Sequence, residues 1–297
     1  MTKSSPQFVA RTKGRRLREA AFRAMTLLSL VVVIAPALWL LLGVALRALP
    51  HWRWNVLTTL SQGTSGGLEN AVAGTLVLMA GVLVIAGSVG VLAGIHLAEL
   101  SRSRRNGKPS GAILRTATEV LSGFPSIVLG YVGYVALCVG LHWGFSLLPA
   151  LLILSLMVTP YIAKSTELAL RQVPTNYREG AEALGMSTGY ALRKVVLRTA
   201  LPGIVTGLLI ALSIAGGETA PLLYTAGATN NLPTLSLVHQ PIAYLTYYVW
   251  TDYNQPSNEA HYISYDAALI LIVLVLVLLV VSRVIVARTQ RFSESYR

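Results

Sequence analysis

Apolar residues in this chain come in long unbroken runs, not in alternation and not as a one-sided helical stripe. Six stretches approach the ~20 residues that a helix needs to cross a bilayer: 22–46, 70–98, 116–141, 145–163, 203–224 and 264–286. A backbone in lipid must satisfy its own hydrogen bonds, so runs of this length predict helices. The predicted fold class is therefore all-α: a polytopic membrane protein with six transmembrane helices. The predicted organisation is a basic arm at 1–21, a first helix and outer loop at 22–69, a five-helix core at 70–287 and a tail at 288–297.

The runs are not uniform. The second is rich in small residues, Gly74, Gly81, Gly87, Ser88, Gly90 and Gly94, which let helix backbones approach closely in lipid. The third is interrupted by Gly123-Phe124-Pro125-Ser126. Pro125 removes a helix hydrogen bond, so a kink or a re-entrant break is expected there.

Two long polar intervals remain. Residues 167–202 keep an apolar helical rhythm and contain Gly185, which predicts two short helices joined at a left-handed glycine. Glu179 and Glu182 are expected in the first turns of the first helix, where the dipole favours acids. Ser187 or Thr188 is expected to cap the second helix, with Arg193, Lys194 and Arg198 late in it. A knob of this kind suits a groove in a partner. The other interval, 226–263, places Val238, Ile242, Leu245 and Val249 at helical spacing beside Tyr244, Tyr247, Tyr248 and Trp250. That spacing predicts a short amphipathic helix near the outer interface, either an aromatic anchor or a docking surface.

Composition sharpens the class. Of 297 residues, 54% are hydrophobic and only 12% charged, about half the charge of a soluble domain. The net charge of +12 does not point to nucleic acid, because it follows topology. All of the 24 Lys and Arg except Arg47 and Arg53 fall in the terminal segments, the 100–115 loop or the 167–202 stretch, with their flanks. Basic residues gather on the cytoplasmic side, so both termini are expected inside a bacterial cell membrane and the 226–263 loop outside it.

Candidate chemistry is sparse. The single Cys138 lies in an apolar run and the five His are scattered, so no metal site and no catalytic residue are expected. No GxxxxGK[ST] phosphate loop occurs. The chain is not expected to be an enzyme, and any ATP hydrolysis belongs to a separate subunit. Glu218 is the sharpest single residue, because a charge within a span is costly and usually functional or paired. It is expected either to pair with a cation or to accept a hydrogen bond from a protonated anion. Ser126 and Thr219 are candidate pathway hydroxyls or packing residues. Lys164, Glu167 and Glu119 read as interfacial.

Glu179-Gly180-Ala181, then Gly185, then Val195-x-Leu197 resembles the EAA motif of ABC-importer permeases. Gly180 departs from the usual Ala, and Arg198 stands where Pro is usual. Gly123-Phe124-Pro125-Ser126-Ile127-Val128-x-Gly130, Leu170-Arg171-x-Val173-Pro174 and Gly217-Glu218-Thr219-Ala220-Pro221-Leu222-Leu223 look like the A-type permeases of the phosphate-uptake (Pst) systems. The resemblance runs from about residue 71 to the end.

The resemblance implies a type I importer permease fold and a heterodimer with a second permease. It also implies two copies of an ATPase that bind ATP and Mg, and an extracytoplasmic phosphate-binding protein. Glu179, Ala181, Glu182 and Gly185, in a coupling helix near 175–190, would dock the ATPase. Glu218, Thr219 and Ser126 would lie on the substrate path. Many relatives carry Arg four residues before this Glu, where this chain has Ile214. Importers of another oxyanion or solute, and a secondary transporter working without an ATPase, are the competing expectations.

Overall fold

The computed structural model describes residues 13–63, 65–100, 109–234 and 236–294. The first twelve residues of the basic arm, residues 101–108 of the basic loop and the last three residues lie outside them.

The described residues contain no strand and form eleven α-helices. They are α1 (Lys13–Ala48), α2 (Glu69–Leu100), α3 (Pro109–Gly123), α4 (Ser126–Gly133), α5 (Leu147–Arg171), α6 (Thr175–Ala183), α7 (Thr188–Ala191), α8 (Leu197–Gly217), α9 (Ala220–Thr225), α10 (Leu245–Tyr253) and α11 (Asn258–Glu294). π-helical turns extend α4 over Tyr134–Gly140 and join α7 to α8 over Leu192–Val196. Five helices are long and apolar enough to cross a membrane by themselves. A sixth span forms if the bent pair around Phe124-Pro125, turned by 100°, counts as one. The expected break in the third run is therefore a sharp turn and not a mild kink.

The chain divides into two units, 1–50 and 51–297. Within the first, α1 exposes its apolar side chains all round from Phe22 to Leu42, as a helix facing lipid does. The second unit holds the core. Its centre is α5, the most buried span, against which α2, α3 and α8 pack. Small residues decide the closest approach. A Cβ on Gly81, Gly90 or Gly94 of α2 would sit 2.5–2.7 Å from Leu151, Ile162, or Ala163 and Thr166 of α5, so bulk there would push the helices apart.

Three apolar clusters run from end to end. Val56, Leu68, Ala71, Leu245, Tyr248 and Ile263 close one end. Leu154, Val158, Ala211 and Leu222 fill the middle. Ala98, Leu170, Val173, Val196 and Ile204 close the end that carries the 167–202 stretch.

Two expectations need correction. The helix in the 226–263 interval is α10, beginning at Leu245. Val238 and Ile242 lie before it in non-helical chain, and Tyr244 is extended at φ −156°. Nor does the segment lie flat as an interfacial anchor, since Ile242, Tyr244, Leu245 and Tyr248 are all at most 3% exposed. Of its aromatic residues, Trp250 and Tyr253 are the ones that face outward. The third run was expected to begin at 116, with Glu119 in its first turn, but α3 starts at Pro109 and carries Glu119 in its second half.

Candidate functional site

The predicted knob is present, with a different internal order. Pro174, with no N–H to contribute, precedes α6, and Val173 beneath it is buried. The helix ends in a Schellman arrangement. Met186 N–H donates to the Ala181 carbonyl at 3.0 Å and Gly185 N–H to the Glu182 carbonyl at 2.9 Å. Gly185 sits at φ +73°, the left-handed conformation that glycine adopts without a Cβ clash. The glycine break thus forms as the spacing predicted.

The electrostatic expectations do not hold. Because α6 begins at Thr175, Glu179 lies at its middle and Glu182 in its last turn, where the dipole does not favour them. Ser187 occupies the N-cap position of α7, but its side chain makes no capping bond. α7 is not a short second helix either, since the π-turn carries it straight into α8 as one apolar helix from Thr188 to Gly217. Arg193 and Lys194 therefore lie early in that helix, not late.

The four motif residues divide by exposure. Glu179, Glu182 and Gly185 face outward, whereas Ala181 is 4% exposed and anchors α6 to the body. Arg178 adds a tether to α2, with its Nη1 at 3.0 Å from Glu99 Oε1. Gly180 stands in open space, with nothing within 4 Å of a Cβ built there. The Ala-to-Gly departure therefore follows no steric need.

A second group forms where two helix breaks meet. α8 ends at Gly217, Glu218 is extended, and α9 starts at Ala220 with Pro221 in its first turn. α4 begins at Ser126 after the Phe124-Pro125 break and packs on α9. That contact needs Gly130, since a Cβ there would lie 2.6 Å from Pro221 Cα. The packing brings the Ser126 hydroxyl beside the Glu218 carboxylate. Thr219 follows in the same half-buried stretch. Thr246 of α10 donates to the Glu218 main-chain carbonyl at 2.8 Å, a contact with no sequence signal. Among the described residues no Lys, Arg or His pairs with Glu218, and Ile214 packs against the core instead of supplying a charge.

A third feature lies between α3 and α5. Arg115, Thr118, Glu119 and Ser122 share one face of α3, and Tyr161, Lys164 and Glu167 one face of α5. Between them lies a cavity of about 400 Å³. Glu167 is held by Arg115 at 2.7 Å and Arg171 at 2.6 Å. Lys164, Glu167 and Glu119, read from the sequence as interfacial, thus line one polar cavity. Among the described residues no cluster of three His, Cys, Asp or Glu could hold a metal ion.

The profile of the family described as binding-protein-dependent transport system inner membrane component matches residues 89–291. "Phosphate transport system permease protein PstA 2" of Mycobacterium bovis is 56% identical over 91% of this chain and 88% of its own length. The "probable phosphate transport system permease protein PstA" of Methanocaldococcus jannaschii is 32% identical over 84% of this chain and 86% of its own. Among solved structures, the inward-facing MetNI methionine ABC transporter superposes with a TM-score of 0.54 at 23% identity. It covers 75% of this chain and 94% of that one, a likeness of fold.

Proposed function

The chain belongs to the family of binding-protein-dependent transport system inner membrane components, and on that premise we propose that it is the membrane-spanning permease of an ATP-driven phosphate importer. The observation that carries the substrate is the likeness, along nearly the whole chain, to phosphate transport system permeases. The geometry is consistent with it. A half-buried carboxylate and two hydroxyls meet at paired helix breaks, and a separate polar cavity lies between α3 and α5.

In this reading both termini are cytoplasmic and α6 docks on a separate ATPase, two copies of which bind ATP and Mg. A second, related permease completes the path, and an extracytoplasmic protein delivers phosphate. Closure of the ATPase pair moves α6, and the Arg178–Glu99 tether and the continuous α7–α8 helix pass that movement to the spans. Partners shift such an equilibrium only by binding its two states differently.

Glu218 repels a fully ionised phosphate. It therefore either pairs with a cation of the second permease or accepts a hydrogen bond from a protonated phosphate. Ser126 and Thr219 present hydroxyls to the same place.

Labelled phosphate uptake into vesicles holding the full complex tests the reading. ATP-dependent uptake that excess unlabelled phosphate abolishes, and that sulfate and molybdate leave unchanged, is expected. No phosphate flux with all partners present, or flux without the ATPase, would overturn it.

A further inference from the structure

The end of the second unit opposite α6 holds a polar pocket of about 340 Å³ whose walls include Thr229, Asn230, Tyr247, Thr251, Asp252 and Gln255. Hydrogen bonds far apart in sequence fix its floor. Asn70, fully buried, donates to the Thr229 carbonyl at 2.8 Å and bonds the Tyr248 hydroxyl at 2.9 Å, while its Oδ1 accepts from Ser61 N–H at 3.3 Å. Thr75 receives the Leu245 N–H at 2.9 Å and so holds the start of α10. Ser264 of α11 donates to the Val249 carbonyl at 2.9 Å. The pocket is thus built into the packed structure.

Asp252 is the anomaly in it. The residue is 4% exposed, and its Oδ2 is buried without a hydrogen-bond partner. Burial alone pushes its carboxyl up to about 6. Among the described residues no Lys or Arg lines the pocket, and none occurs anywhere in residues 226–263. A buried carboxylate without a cation is costly, and a cation from outside the chain would remove that cost.

The chemistry of the walls selects the cation. Hard divalent ions take several oxygen ligands, usually with more than one carboxylate, and here there is one. A phosphate would be repelled. A side-chain ammonium or guanidinium fits better, with Asp252 as counter-ion, the Tyr247 ring as a cation–π surface, and the side-chain carbonyls of Asn230 and Gln255 as acceptors for its remaining N–H groups.

We propose that this pocket receives a basic side chain, Lys or Arg, of the extracytoplasmic binding protein, with Asp252 as its counter-ion. The proposal rests on the importer reading above, which places this end outside the membrane.

The test titrates the phosphate-binding protein onto the complete transporter in nanodiscs. Asp252→Asn, nearly the same shape, should weaken binding about tenfold or more and flatten its salt dependence. On the other partner, neutralising one Lys or Arg of the binding protein should cause the same loss. It should cause no further loss on Asp252→Asn, because the two changes remove one interaction. That arm leaves this chain intact, so it decides even if Asp252→Asn fails to assemble.

Equal affinity and equal salt slope for wild type and Asp252→Asn would overturn the proposal while leaving a transporting complex, and with it the importer reading, in place. So would a loss that depends on which inorganic cation is present at constant ionic strength, which would assign the pocket to a free ion. A wild-type complex that neither binds the protein nor transports phosphate would overturn both readings.

Discussion

Two helices of nine residues each sit at opposite ends of the second unit, and the protein treats them in opposite ways. α6 presents almost all of its surface. Of its residues only Ala181 is buried, and Glu179, Gly180 and Glu182 face outward. α10 is set into the body, with Leu245, Thr246, Tyr248 and Asp252 buried. Their similar length rules out helix propensity as the cause, since a helix this short is marginal alone. Context decides. α6 is held by a Schellman cap, one buried alanine and one ion pair. α10 is held by Asn70 and Thr75 of α2 and by Ser264 of α11. A helix kept ordered yet uncovered is available to a partner. A buried one with a single unpaired carboxylate is complete except at that point.

The contrast can be broken most strongly from the α10 side. Asn70→Ala strands the Ser61 N–H and removes one bond each from the Thr229 carbonyl and the Tyr248 hydroxyl. It should cost about 3 kcal/mol, seen as a fall in Tm by scanning fluorimetry. An unchanged Tm would mean that α10 is not held through this hub.

On α6 the expectation is reversed, with activity lost and stability kept. Glu179→Lys reverses an exposed charge and should leave Tm within a degree or so. If α6 meets the ATPase, transport should fall about thirtyfold or more, the size of an interface hot spot. Co-purification with the ATPase measures the same loss directly.

Asp252→Asn sharpens the comparison through pH. A carboxyl raised to about 6 in the folded protein favours the protonated form. Its cost to stability is absent below the ordinary carboxyl range and complete above pH 6. The variant should therefore be more stable than wild type at pH 7.5, by on the order of 1–2 kcal/mol. The advantage should fade as pH falls through 6 toward 4. A variant less stable than wild type at pH 7.5 would contradict this account of the pocket.

The smallest effect is at Gly180. A Cβ there meets nothing, so Gly180→Ala should stabilise α6 by about 0.5–1 kcal/mol without steric cost. Hydrogen exchange across residues 175–183 should read it as slower opening.

Much of the architecture was legible because lipid leaves a chain few choices. The apolar runs marked the spans, Pro125 marked the break before Ser126, and Gly185 marked the left-handed turn that ends α6. What was not legible depended on contacts between distant segments. Nothing in the sequence places Ser126 beside Glu218, ties Arg115 to Glu167, or makes Asn70 the hub under Tyr248. Local errors had local causes. The acids were expected in the first turns, but Pro174 starts α6 at Thr175, which puts Glu179 at its middle and Glu182 in its last turn. Spacing alone could not show that Tyr244 is extended, so Val238 and Ile242 were assigned to a helix that starts at Leu245. Asp252 carried no signal, because burial and the lack of a cation are properties of the fold.

The most direct test of the account compares ATP-driven phosphate uptake in vesicles carrying the complete complex with uptake by the same complex bearing Glu179→Lys. The account predicts rapid uptake by the wild type that requires both ATP and the ATPase, and loss of that uptake in a variant that folds and melts normally. Wild-type rates in the variant, or uptake that continues without ATP, would contradict it.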